Sequence, residues 1–310
     1  MPAAPRSPSP VELPVRSGFV RTEDGVDLYW KAVGAGPVIA CCNGVGVSTF
    51  FWKYFVDHFA QRATVVVWDY RGHGRSSRRI DPLTADLSIA RHAADLIAVL
   101  DAVGAAEPAL LVGHSMGCQV ILEATRRHPE RAAGLVLLLG TAGRALHTFY
   151  DTALSVPIFK VLRAVTFRAG EGANRLLRPL LESPLTWTLA TGLRWVDPYY
   201  TRPEDLAHYT RHMAGLDQRL FMQCVAETDA HDAWGALPNI GVPVLVVAAE
   251  LDVFTPLWCS QKIARTIPGA ELFQLADATH AALVEQPDTI HHRVERFLSE
   301  RLPRVYGAAA

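Results

Sequence analysis

The chain has 310 residues, half of them hydrophobic and 20% charged, enough to bury a large core as one α/β domain or a domain carrying an insertion. Thirty basic residues against 31 acidic leave a net charge of −1, with no Lys/Arg run longer than Arg78-Arg79 or Arg126-Arg127, so neither nucleic acid nor an anionic membrane surface is an expected partner. Five cysteines, an odd count without a CxxC pair, argue against a disulfide framework and a zinc site, and Cys41, Cys42 and Cys118 read as small buried hydrophobes.

Residues 1–14 hold Pro2, Pro5, Pro8 and Pro10 and no apolar signal-peptide core, which predicts a disordered or extended tail. No run of about 18 apolar residues follows, so the expectation is a cytoplasmic chain without a membrane span. Gly18 to Arg21 and Val26 to Val33, separated by Asp24-Gly25, predict an antiparallel hairpin. Short apolar runs then recur at Pro37 to Cys42, Ala63 to Trp68, Ala109 to Val112, Gly134 to Leu139, Val244 to Ala248 and Glu271 to Leu275. Helical spacing separates them. Strands covered on both faces have this composition, and their alternation with helices predicts an α/β fold with a mostly parallel central sheet flanked by helices.

The rhythm breaks over residues 141–234. That stretch has helical pieces interrupted by Pro157, Pro179, Pro184, Pro198 and Pro203, and carries Phe149, Tyr150, Trp187, Trp195 and Phe221 among its large side chains. It reads as a helical cap inserted between a core formed by residues 15–140 and 235–303. Its aromatics either build extra scaffold or close over an apolar pocket.

The chemistry centres on Gly113-His114-Ser115-Met116-Gly117, between the Ala109 run and a helical pattern starting at Cys118. A serine between two glycines at a strand-to-helix corner is a nucleophile signature. The glycines let the turn close, and the turn lifts the hydroxyl above the sheet at a helix N-terminus that favours negative charge. A serine hydroxyl needs a base, and the base a carboxylate to hold its tautomer. Asp252, in the loop after the Val244 strand, and His280, after the Glu271 strand, supply them in the chain order Ser, Asp, His. Glu250 competes with Asp252 for the acid role. The backbone N–H of Met116, next to the nucleophile, is a candidate oxyanion donor.

Other residues have plainer readings. His114 is adjacent to Ser115 and cannot align with it as a base, so it is structural. Asp69 and His73 lie on a loop expected to pack beneath the site, and His291 and His292 are expected on the surface of the last helix. Gly44-Val45-Gly46 with Asp69 further on echoes a dinucleotide fingerprint, but Thr49 stands where its third glycine belongs.

Taken together, Asn43-Gly44-Val45-Gly46, Asp69 to Ser76, Gly113 to Gly117, Glu250 to Pro256 and His280 to Pro287 resemble a serine α/β-hydrolase of the capped esterase and haloperoxidase-like group, from about Gly18 to Leu298. The resemblance implies Ser115, Asp252 and His280 as catalytic residues. It also implies Val45 N–H as the second oxyanion donor, beside that of Met116. It implies hydrolysis of carboxylic esters with apolar groups through an acyl-enzyme, no metal or organic cofactor, a small-molecule substrate and a monomer or weak dimer. Thioester hydrolysis, perhydrolysis, carbon–carbon hydrolysis and a non-turnover receptor role stay open on the same residues. One departure stands out: the family usually begins the first loop with His-Gly, and this chain has Asn43-Gly44.

Overall fold

The computed structural model describes residues 13–306, so the tail expected at residues 1–14 lies outside the described residues except for Leu13 and Pro14. Eight strands form one sheet: β1 (Val15–Arg21), β2 (Asp27–Val33), β3 (Val38–Cys42), β4 (Thr64–Trp68), β5 (Ala109–His114), β6 (Ala132–Leu138), β7 (Val244–Ala249) and β8 (Glu271–Leu275). Their order is β1-β2-β4-β3-β5-β6-β7-β8. β1 and β2 form the antiparallel hairpin, β2 also runs antiparallel to β4, and every pair from β4 to β8 is parallel.

The central strands are apolar throughout because both faces are covered. Along β4, Val66 and Trp68 face one core while Val65 and Val67 face the other, and β7 divides Val244 and Val246 from Leu245 and Val247 in the same way. On the first side lie α2 (Ile89–Val103), α3 (Met116–Arg127) and α9 (Leu257–Thr266); on the second, α1 (Lys53–Phe59) and α11 (Pro287–Arg301). Between the strands and α11 is one turn, α10 (Ala282–Glu285), and α12 (Pro303–Tyr306) follows α11.

From β3 the chain moves outward to β4 and then crosses back to place β5 on the other side of β3. Loops leaving the carboxyl ends of β3 and β5 therefore start side by side, with Cys42 paired to Gly113. A crevice at such a reversal is where open α/β sheets place their ligands.

Between β6 and β7 lie five helices: α4 (Ser155–Ala169), α5 (Glu171–Leu181), α6 (Leu185–Gly192), α7 (Pro203–Ala214) and α8 (Gln218–Ala230). The insert is fastened at its root by a bridge between Gly143 and Asp232, by Arg144 N–H donating to His231 O at 3.0 Å and by Ala233 N–H to Ala142 O at 2.8 Å.

One surface expectation is corrected. His292 is exposed, but His291 lies on the inner side of α11, 2% exposed, stacked on His58 and edge-on to Phe55 and Phe59. Helical spacing from Ile290 and Val294 carries it into the core, and burial lowers its pKa to about 4.

Candidate active site

Ser115 caps α3 with φ 54° and ψ −117°, a conformation that costs a non-glycine residue roughly 1–3 kcal/mol. The surroundings impose it. A side chain at Gly113 would strike the backbone of Gly117 and Cys118, and one at Gly117 would strike the backbone of Cys42 and Asn43. Strand, helix and neighbouring loop are thus pressed too close for any Cβ. The Ser115 N–H is taken by Leu138 O at 3.0 Å, while Met116, the first residue of α3, has an N–H with no carbonyl of its own helix to meet.

The loop after β3 runs directly beside the serine: a Cβ on Gly44 would sit 3.2 Å from Ser115 Cβ and 3.0 Å from His114 Nδ1. Val45 follows it. The departure at Asn43 becomes intelligible here. Its Nδ2 donates to Trp68 O and its Oδ1 accepts from Trp52 Nε1, both at 2.7 Å, while its backbone carbonyl accepts from Tyr70 O–H at 2.9 Å. Asn43 is fully buried and ties this loop to β4 and to the segment before α1.

His73 braces the next residues. Its Nδ1–H donates to Arg71 O at 3.0 Å, which leaves Nε2 as the acceptor for Gly46 N–H at 3.3 Å. Burial, ahead of the neighbouring histidines, lowers its pKa to about 3, so it stays neutral in that tautomer. Asp69 is likewise structural, accepting from Thr49 N–H at 3.0 Å and Arg75 N–H at 2.8 Å. The loop beneath the site is pinned in turn by buried Arg71, whose Nε and Nη2 reach Asp95 at 2.7 Å and whose Nη1 reaches Asp24 at 2.8 Å.

Asp252 and His280 meet. His280 Nδ1 lies 2.8 Å from Asp252 Oδ2, which also accepts from Thr255 Oγ1 at 2.8 Å. Asp252 Oδ1 takes the backbone N–H groups of Phe254 and Thr255 at 2.8 and 2.9 Å. The carboxylate is therefore buried and held in one orientation, leaving the Nε2 edge of His280 for chemistry. Glu250, the rival acid, is exposed on the same loop. His114 proves to be the clamp for His280: its Nε2–H donates to His280 O at 3.0 Å, with the two rings 5.0 Å apart. Burial, then the charge of His280, lowers the His114 pKa to about 3. Its Nδ1 lone pair, facing Gly44, has no partner among the described residues.

Glu285 was not singled out by the sequence reading. It is buried and accepts four hydrogen bonds: Thr279 N–H at 2.9 Å, Thr279 Oγ1 at 2.7 Å, Thr201 Oγ1 at 3.0 Å and Asp197 N–H at 2.7 Å. The first two hold the residue before His280; the others reach the insert. The insert also closes on the site from two more sides. Phe254 lies 5.0 Å from the His280 ring and is surrounded by Phe149, Tyr150 and Trp195 at 5.2, 6.4 and 6.1 Å. Met213 and Phe221, from α7 and α8, press against Gly46. A side groove of about 580 Å³ between α3 and residues 235–242 holds none of these groups. Among the described residues no His/Cys/Asp/Glu cluster could hold a metal ion.

The model of the alpha/beta hydrolase fold family matches residues 37–287. The chain is 30% identical over 274 residues to "Putative carbamate hydrolase RutD" of Azorhizobium caulinodans, covering 88% of this chain and 96% of the relative, and 29% identical over 289 residues to the protein of that name in Caulobacter vibrioides, covering 92% and 99%. Among solved structures, the enol-lactonase of Burkholderia xenovorans superposes with a TM-score of 0.75 at 24% identity, covering 91% of this chain and all of that one. An N-acyl homoserine lactone degrading enzyme superposes at 0.70 and 28% identity, covering 90% of this chain and all of that one.

Proposed function

The chain belongs to the alpha/beta hydrolase family, and within it we propose a serine hydrolase that cleaves carboxylic esters of apolar groups through an acyl-enzyme. The observation that carries this reading is the convergence of three separated segments: a strained Ser115 at the head of α3, and a His280–Asp252 pair of 2.8 Å clamped to the same corner by His114.

In this mechanism His280 Nε2 takes the Ser115 proton as Oγ attacks the acyl carbonyl, and Asp252 stabilises the imidazolium on Nδ1. The N–H groups of Met116 and Val45 receive the oxyanion, each contributing about 10²–10³ in rate. His280 then protonates the leaving alcohol and activates the water that releases the acid. Burial keeps His114 neutral, so it holds His280 by a hydrogen bond without setting a second positive charge beside it. The insert acts as a cap, and the aromatic group around Phe254 offers the acyl or alcohol portion an apolar wall.

Carbamates are the second reading, supported by relatives that bear that name along nearly their whole length. The same serine would attack the carbamate carbonyl. Hydrolysis of p-nitrophenyl esters from acetyl to palmitoyl, beside p-nitrophenyl carbamates, by wild type and Ser115→Ala separates the two. Ester turnover lost in the variant supports the proposal; carbamate turnover without ester turnover replaces it; turnover retained by Ser115→Ala ends both.

A further inference from the structure

The insert turns an apolar row outward. Leu154 at the cap of α4 and Ile158, Val161, Leu162 and Val165 within it recur at helical spacing, and each is 50–64% exposed. The opposite side of α4 is occupied by α8: Thr166 is buried, and Arg163 Nη2 donates to Gln223 Oε1 at 2.6 Å. α5 and α6 repeat the arrangement, with Leu176 and Leu180, then Leu185 and Leu189, four residues apart and exposed. Surface helices ordinarily turn polar residues to water, so three successive helices with apolar rows outward mark a contact surface.

The charges beside these rows identify what the surface meets. Residues 154–194 carry six basic side chains against two acidic, in a chain whose net charge is −1. Arg168, Arg175 and Arg194 are exposed and take part in no ion pair among the described residues, whereas Lys160 shares the Arg163 side of α4 and Arg178 is paired with Glu182. The whole-chain balance, which argued against an anionic membrane, conceals this basic segment behind acidic residues elsewhere.

We propose that the outer face of α4–α6 docks on an anionic lipid bilayer, the α4 row entering the boundary between headgroups and acyl chains and Arg168, Arg175 and Arg194 meeting lipid phosphates. A second copy of the chain fits the surface poorly, because a two-fold contact would set the same cations against themselves. The docking stands apart from the hydrolytic reading and is read without any substrate.

Flotation of the full-length protein with vesicles tests it, comparing pure phosphatidylcholine with a mixture containing about 30% phosphatidylglycerol. The expected result is binding to the anionic vesicles at least about tenfold stronger than to phosphatidylcholine, weakened by salt as the charges are screened. Val161→Glu/Val165→Glu, at exposed positions that leave melting unchanged, lowers that binding about tenfold or more, and Arg168→Gln/Arg175→Gln removes most of the preference for anionic lipid. Wild type that stays unbound on anionic vesicles overturns the proposal, as does binding indifferent to the α4 variants. Sedimentation showing a wild-type dimer that Val161→Glu/Val165→Glu converts to monomer also overturns it and assigns the row to a second copy.

Discussion

Removing Glu285 should loosen the histidine loop more than its distance from the chemistry suggests. The carboxylate is 6% exposed and faces four donors, two from Thr279 and one each from Thr201 and Asp197. In Glu285→Ala the two threonine hydroxyls can turn elsewhere, but the N–H groups of Thr279 and Asp197 stay fixed by the backbone. Each buried N–H left unpaired costs about 1–3 kcal/mol, so the loss of stability should be about 3 kcal/mol. Glu285→Gln keeps an acceptor for the three donors on Oε1 but turns an NH₂ toward Thr279 N–H, which should cost about 1–2 kcal/mol. Because Thr279 precedes His280, a shift of about 1 Å there should lower kcat as much as 10²-fold, with KM less affected. Urea unfolding and steady-state kinetics on the best ester measure the two effects. A Glu285→Ala enzyme within twofold of wild-type kcat would refute the claim that this carboxylate positions the histidine loop.

Ser115→Ala should lower kcat by about 10⁶, measured on the p-nitrophenyl ester series, with circular dichroism unchanged. Ser115→Gly should be equally inactive yet more stable by about 1 kcal/mol in chemical denaturation, because glycine adopts φ 54° without the strain. Asn43→Leu leaves Trp52 Nε1 and Trp68 O without partners and should lower stability by about 2–4 kcal/mol; an unchanged urea midpoint would show that these two bonds contribute nothing net. His73, His114 and His291 are buried with pKa values lowered to about 3, 3 and 4, so below pH 6.5 the unfolded chain binds protons that the folded chain refuses. Stability is full above about pH 6.5 and falls as pH drops toward 4, by about 1.4 kcal/mol per pH unit for each histidine. Urea midpoints between pH 8 and 5 check this, and His291→Phe should flatten the slope.

Most of the sheet was legible in the sequence because strands buried on both faces must be short and apolar. The runs from Pro37, Ala63, Ala109, Gly134, Val244 and Glu271 each became a strand within a few residues of the expected ends. The strained corner at Ser115 was legible because its two glycines are a steric requirement of the turn, and the nearness of Asp252 to His280 because each sits where a strand of the series releases its loop. Local pattern does not record what a side chain meets across the fold. His291 stands beside a polar neighbour, His292, and looked like surface; only the packing of α11 on α1 puts it in the core. Asn43, Glu285 and His114 each gained a partner from a distant segment, 25, 88 and 166 residues away, and Asp252, which the resemblance favoured over Glu250, is the carboxylate of the two that meets His280, at 2.8 Å. The sequence by itself determined which residues could carry the chemistry, since backbone strain, nucleophile and base are local properties. Tertiary structure alone decided which groups hold them in place and which apolar face stays outside, since both depend on distances between segments that only packing creates.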